Sequence, residues 1–500
     1  MAKLTIPFGK FLPDQATFKN PGVIFARNVV PKVGSYGPFR DFSVYSNALD
    51  AQVLGAAFAR NSTGATFIYA GTPTKLYELV DTTFTDQSVG GGYSTATDDV
   101  WEFAVWNRNG KVIATNYTDA IQSMTIGAGA SANFATMITG TNVPKAKHVG
   151  IVNQFVVLGY TNDASDGIRQ SRVWWSALGN EANFDPDAAT QSDFEDLPFG
   201  GAVQRLIGLN EYGLIFQRDM VRTMRYVGGG VIFEMLPLNY APGTPIPNSV
   251  IAHKGMVFYI AEDGFFAING TAVEPIGHGG IDKRFWDQFD IAHRRDLSVA
   301  VDPVRKNVCW AYAAESSGSS LPNRLLLYNY ADRKFTETDV EIDFLMRAET
   351  RGYTLDGLDV IGTDIDNAAV FNVSFDSEKW NGGNINLAAF DRDHKLGYFD
   401  GLTKRGTIET GDIQPIDGRR WQINGVIPLI DGGQLAVSSA ARTRLIDSIA
   451  YGSSASMNTD GECAICIEGR YQRLRTSISE STSWSHIQGL TIDYELTGER

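Results

Sequence analysis

Cysteine is scarce, with three in 500 residues, too few for a disulfide framework. That excludes the small cross-linked scaffolds of secreted proteins. Long apolar runs are missing too. Hydrophobic residues make up 43% of the chain, yet no stretch approaches the roughly 18 that a membrane-spanning helix needs. Positive charge is in deficit, since 43 Lys and Arg face 57 Asp and Glu for a formal net charge of −14. Proteins that grip nucleic acid by its phosphates are usually basic, so a DNA reader is disfavoured. A passage wall that repels phosphates, so that the polymer slides, is compatible with this charge. The opening Met1-Ala-Lys-Leu-Thr-Ile is followed by Pro7, Gly9 and Lys10, which leaves no apolar core for a signal peptide. Synthesis and assembly in a cytoplasm are therefore expected.

Glycine is plentiful at 51, with 28 Phe, 19 Tyr and 9 Trp, a composition that favours short strands and turns over long helices. From Gln52 to about Phe375 one pattern recurs: an apolar strand, a polar turn, a second strand. Phe67-Ile-Tyr-Ala precedes Lys75-Leu-Tyr-Glu-Leu, Val156-Val-Leu-Gly-Tyr precedes Arg172-Val-Trp-Trp, and Val257-Phe-Tyr-Ile precedes Phe265-Phe-Ala-Ile. The leading strands begin at 67, 112, 156, 214, 257, 308 and 358, about 48 residues apart on average. A period of roughly 40 to 50 residues with four short strands per unit marks a β-propeller blade. About seven blades are expected, give or take one, with stacked β-sandwiches as the alternative. Ile281, Phe285 and Phe289 share one face of a short helix that docks on the propeller. Near residue 390 the pattern changes to period-two hairpins, exemplified by Arg420-Trp-Gln-Ile-Asn-Gly-Val-Ile-Pro. The expected division is a propeller with an N-terminal closing segment over 1–390 and a β-sandwich platform over 391–500.

Motifs that carry chemistry are few. Cys463 and Cys466 form a Cys-x-x-Cys, but Cys309 is the only other thiol, and strand residues three apart face opposite sides. The six histidines, His148, His253, His278, His293, His394 and His486, lack metal-ligand spacing and read as surface or loop residues. No Gly-x-Ser-x-Gly or Gly-x-x-x-x-Gly-Lys-Ser/Thr occurs, and Gly228-Gly-Gly fits a tight turn. Asp185, Asp187, Asp193, Glu195 and Asp196 form the densest acidic stretch. It reads as a solvated loop, or as part of a passage wall or a contact with a basic neighbour. Arg419, Arg420, Arg442, Arg444, Arg470, Arg473 and Arg475 gather near the C-terminus. Pairing between subunits, DNA contact and a plain exposed strand all remain open for them.

Pro7-Phe-Gly-Lys-Phe-Leu-Pro-Asp, Asn20-Pro-Gly, Ala26-Arg-Asn-Val-Val-Pro and Ser35-Tyr-Gly-Pro-Phe resemble the opening of tail nozzle proteins from short-tailed bacteriophages. These are also known as tail-hub or packaged-DNA-stabilisation proteins. Arg172-Val-Trp-Trp-Ser-Ala-Leu-Gly-Asn, Pro247-Asn-Ser-Val and Gly469-Arg-Tyr-Gln-Arg-Leu-Arg extend the resemblance along nearly the whole chain. It implies a structural, non-enzymatic virion protein, without catalytic, cofactor or metal residues. It further implies a β-propeller on a β-sheet platform, assembled as a hexameric ring below the portal and its adaptor, beside tail fibres or spikes. Such a ring retains packaged double-stranded DNA and conducts it into the host without sequence-specific binding. A lone propeller's hole is too narrow for duplex DNA, so the passage would lie between subunits. The rivals are a carbohydrate-binding or carbohydrate-cleaving propeller, which predicts carboxylates and aromatics clustered at its axis, and a trimeric receptor-binding module.

Overall fold

A computed structural model describes residues 2–498 except 130, 210, 316, 317, 319 and 350–384. Seven four-stranded antiparallel units occur among these residues. Six are consecutive meanders over 55–86, 102–136, 145–196, 203–242, 251–275 and 298–339. The seventh joins Ile342–Glu349, Ile385–Asp391 and Lys395–Tyr398 to Ser43–Ala48. We number these blades one to seven. First strands adjoin in circular order, with the turn Pro247–Ser249 bridging blades four and five and blade seven meeting blade one. The fold is a β-propeller.

The apolar runs recognised in the sequence are the second strands of their blades. Thr66–Gly71, Lys111–Thr115, Phe155–Asp163, Gly213–Gln217, Met256–Ala261 and Asn307–Tyr312 contain the starts at 67, 112, 156, 214, 257 and 308. A second strand has neighbouring blades on both faces, so its side chains are apolar without alternation; every residue of Asn307–Tyr312 is buried. The start at 358 lies outside the described residues, and the second strand of blade seven is Ile385–Asp391.

The expected boundary at 390/391 cuts through that strand. Lys395–Tyr398 still belongs to the propeller, where Tyr398 pairs with Ser43 and Gly397 with Val44. Ser46 Oγ also accepts the Leu396 N–H at 2.9 Å. An N-terminal strand thus closes the ring of blades. Residues before it belong to the platform, which a division into 1–390 and 391–500 does not capture. Apart from the local hairpin Val29–Lys32/Ser35–Pro38, their strand partners lie more than 300 positions away, a separation no local pattern reports.

The platform is a sandwich of two sheets. One orders Val29–Lys32, Ser35–Pro38, Trp484–Gly498, Arg420–Gly432 and Ile467–Gly469, with Ala2–Pro7 added along Trp484–Gly498. The other orders Val23–Arg27, Gly406–Thr410, Tyr471–Ile478, Leu435–Arg442 and Ala455–Ser456. Alternation along Tyr471–Ile478 sends Gln472, Leu474, Thr476 and Ile478 inward, where Leu474 and Ile478 join Trp421, Val426 and Ile492, all fully buried.

The second sheet does not end at the platform. Val23–Arg27 lies beside Lys334–Asp339, the outer strand of blade six, in parallel register Arg27 to Glu337, making one nine-stranded sheet. At that seam the buried Glu337 carboxylate accepts from Arg284 at 2.5 and 2.9 Å and from Arg27 at 3.4 Å. Arg284 lies on the helix Asp282–Gln288, whose first N–H groups are capped by Asp14 at 2.8 and 2.9 Å. Ile281, Phe285 and Phe289 are buried as their spacing predicts. Phe285 packs against Phe265 and Tyr312 with ring centroids 4.9 and 5.1 Å apart.

Glu337→Ala would leave Arg284 without its carboxylate and Arg27 with only Asp339, 4.0 Å away. We expect a loss of about 3 kcal/mol, the lower end for a broken buried pair because both guanidinium groups keep some solvent. Denaturant titration of E337A beside E337Q measures it, and equal stability of E337A and the wild type would contradict the seam's importance.

Candidate functional site: the axial mouth of the propeller

Propeller ligands enter where inner strands begin, so the concave surface there is the first place to look for chemistry. In this chain it is a cavity of about 540 Å³, bordered by Asp98 to Glu102, Lys147, His148, Tyr160, Arg218 and the segment containing Arg294 and Arg295. Glu102 opens the inner strand of blade two and is 4% exposed. Its carboxylate accepts from Arg205 at 2.8 Å and from the Val149 N–H at 3.1 Å, and lies 2.9 Å from His148 Nδ1. Burial pushes its pKa up, but Arg205, His148 and the Val149 N–H together hold it below the ordinary value. Glu102 therefore stays anionic and cannot donate a proton near neutrality.

Three other cations at the mouth are paired as well. Lys147 meets Asp99 at 2.8 Å and rests over the rings of Tyr117 and Tyr160 at 5.5 and 5.3 Å. Arg218 meets Glu262 at 2.7 Å, and Arg295 meets Asp296 at 3.1 Å. Glu102, His148 and Arg205 come from the inner strands of three successive blades. They form a charge-paired clamp, whereas glycoside hydrolysis needs a protonated carboxyl opposite a free carboxylate.

Of the candidate residues singled out in the sequence, His148 lies at this mouth and the others fall elsewhere. Cys463 and Cys309 are buried and Cys466 is exposed; burial pushes the Cys463 thiol up to about 11, far from a reactive thiolate. No group of three or more His, Cys, Asp or Glu is placed to hold a metal ion among the described residues. The Gly228 turn joins the outer two strands of blade four. His148, read as a surface or loop residue, is 5% exposed, and His394 contacts the buried Asp343 at 2.5 Å. His293 contacts Asp290 at 2.7 Å, and His253 lies 3.2 Å from the Tyr330 hydroxyl. His486 lies 3.9 Å from Asp431, and His278 neighbours Asp282.

The acidic stretch divides. Asp185 accepts the backbone N–H groups of Thr141 and Asn142 at 3.0 and 2.7 Å, and Asp196 binds Arg172 through two bonds at 2.7 and 3.0 Å. Asp187 caps its own turn through the Ala189 N–H at 2.9 Å, while Asp193 and Glu195 are exposed on the outer strand of blade three. The C-terminal arginines find partners within the chain. Arg442 and Arg473 share the buried Asp412 at 2.6 and 3.1 Å. Arg475 binds Glu409 at 2.5 Å and covers Tyr451 at 3.9 Å, Arg420 meets Glu468 at 3.2 Å and Arg444 meets Asp447 at 2.9 Å. Spacing on the strand put Arg473 and Arg475 on one face, but only the fold brings Asp412 and Glu409 to that face.

No family model and no curated protein matches the chain. Among solved structures it is similar to the extracellular domain of a hybrid two-component system of B. thetaiotaomicron, at 10% identity and TM-score 0.40, covering 77% of this chain and 43% of that one. A one-component system described from the same organism gives 11% identity, TM-score 0.42 and the same coverage. BamB from Moraxella catarrhalis gives 10% identity and TM-score 0.34, covering 79% of this chain and 97% of that one. The chain spans less than half the length of the two extracellular domains.

One carboxyl has a pH dependence that can be measured. Asp282, at the start of the helix, has its pKa raised from 3.8 to about 6 by burial and by Asp14, against the lowering effects of the Phe265 N–H and His278. A raised folded-state value means that this group favours folding below about pH 4, and that the contribution is lost as pH rises through about 6. Asp282→Asn stays neutral and keeps an acceptor for the Phe265 N–H. Its melting temperature should gain on the wild type between about pH 4 and 7 and then run parallel; curves parallel throughout would refute the assignment.

Proposed function

We propose that this chain is a structural subunit of a short-tailed phage virion, a tail nozzle that forms a ring-shaped channel. The channel retains packaged DNA and conducts it into the host during ejection. The observation that supports this best is the continuous sheet from blade six into the platform, sealed by Glu337, Arg27 and Arg284. It makes propeller and sandwich one stiff body, suited to a fixed place in a ring. At the axial mouth the pairs Glu102–Arg205 and Lys147–Asp99 tie neighbouring segments of the propeller together. The net charge of −14 suits a conduit that repels the phosphates passing through it. The resemblance in Pro7-Phe-Gly-Lys-Phe-Leu-Pro-Asp and the later segments points the same way.

On this reading the subunits form a homohexamer in contact with the portal-adaptor ring and with tail fibres or spikes, assembled in the host cytoplasm and carried in the virion. A carbohydrate-directed propeller finds less support, because Glu102 and Asp99 already hold Arg205, His148 and Lys147.

Sedimentation of the full chain, alone and with the adaptor ring, should give a six-subunit species. A monomer that releases reducing sugar from host polysaccharide would overturn the proposal. The purified ring should also bind duplex DNA weakly at physiological salt; tight, salt-sensitive binding would count against a repelling lumen.

A further inference from the structure

Two surfaces left unused by the internal pairing have complementary chemistry. The first is a shoulder formed by blades three and four. Phe199, in the loop between these blades, is 79% exposed, although its backbone is held firmly. Buried Gln217 donates to the carbonyls of Phe199 and Gly201, both at 2.9 Å, and accepts from buried Arg222 at 2.8 Å. Gly200 and Gly201 supply the positive φ values of 93° and 75° that the loop requires, and a Cβ at Gly200 would stand 2.6 Å from the Gln217 oxygen. A buried polar frame that presents a bare aromatic ring is the geometry of a preorganised anchor. Four and six residues before Phe199 in the chain, Glu195 and Asp193 are exposed on the outer strand of blade three, and no ion pair involves either among the described residues.

The second surface is a groove of about 760 Å³ between blade six and the platform hairpin Val29–Lys32/Ser35–Pro38. Four cations, Lys32, Arg40, Arg305 and Lys306, line it against one carboxylate, Asp332, in a chain whose net charge is −14. Arg305 meets Asp302 at 3.0 Å. Lys32 donates to the Ser485 carbonyl at 2.9 Å and Arg40 to backbone carbonyls at 3.4 Å, so those two charges are not neutralised. Lys306 is exposed. Val33 and Val304, 82% and 66% exposed, give the groove apolar ground between these charges.

We infer that the acidic, Phe199-bearing shoulder of one copy docks in this basic groove of the next copy. The two patches differ in sign and shape, so the contact is head-to-tail and not two-fold, and a head-to-tail contact builds a ring when its rotation closes. They also belong to blades two to three apart in a circle of seven, so one subunit can engage two neighbours at once. The inference rests on the ring-forming function proposed above and names the contact that builds the ring.

The full chain is tested by sedimentation across a concentration series. Phe199→Ala should raise the concentration at which the ring forms by about tenfold or more, as loss of an anchor does, with an unchanged melting temperature because the ring is solvent-exposed in the monomer. Lys306→Glu and Glu195→Lys should each weaken assembly, and K306E/E195K in one chain should recover most of it by restoring opposite charges across every contact. If F199A and K306E assemble like the wild type, the docking assignment falls while the ring stands. A wild-type chain that remains monomeric at every concentration, alone and with the adaptor ring, overturns both.

Discussion

One carboxylate, that of Glu337, meets three parts of the chain that lie far apart in sequence. Arg27 arrives on a strand from the N-terminal segment, Arg284 on the only α-helix among the described residues, and Glu337 itself on the outer edge of blade six. A carboxylate out of water is tolerated only with its partners in place, so seam, helix and strand are stable together or not at all. Covering that edge has a second effect. The outermost strand of a blade offers unpaired N–H and C=O groups to other chains, and on blade six Val23–Arg27 occupies the position, drawing the platform into the same sheet.

How much of this was legible in the sequence depends on whether a feature is local. The second strands announced themselves because burial on both faces leaves Val308-Cys-Trp-Ala-Tyr and its counterparts apolar throughout. The helix was readable for the same reason, with Ile281, Phe285 and Phe289 repeating every four residues toward one buried surface. A pattern reports how buried a residue is, but not which strand it meets. Nothing in Val23-Ile-Phe-Ala-Arg distinguishes a strand of the first blade from one lying between blade six and Gly406–Thr410. Nothing in Lys395-Leu-Gly-Tyr marks it as the strand that Ser43–Ala48 must join.

The candidate site was less legible still, for an electrostatic reason. Glu102, His148 and Arg205 are unremarkable one at a time, and their significance arises where three inner strands converge. Glu102 opens its strand, whereas His148 and Arg205 lie further along theirs, so no shared position in the blade pattern marks them. The arginines of the platform show the opposite case. Their density left pairing between subunits, DNA contact and a plain exposed strand all open, and the structure shows Asp412 and Glu409 reaching Arg442, Arg473 and Arg475 across the sheet from the neighbouring segment.

The strand that closes the propeller also sets an order of events during synthesis. Ser43 and Tyr398 meet across 355 positions, so at about 5 to 20 residues per second the ribosome takes roughly 20 to 70 s to deliver the second after the first. Early blades can pack on one another during that interval, but the circle stays open and Ser43–Ala48 has no companion. The segments before it wait longer, because their sheets include Tyr471–Ile478 and Trp484–Gly498. A nascent chain of this design therefore carries Ala2–Pro7 and Val23–Arg27 without their late sheet partners until the segments beyond residue 400 have been made, and crowding of unfinished chains on one message is the stage at which mispairing between neighbours is most exposed.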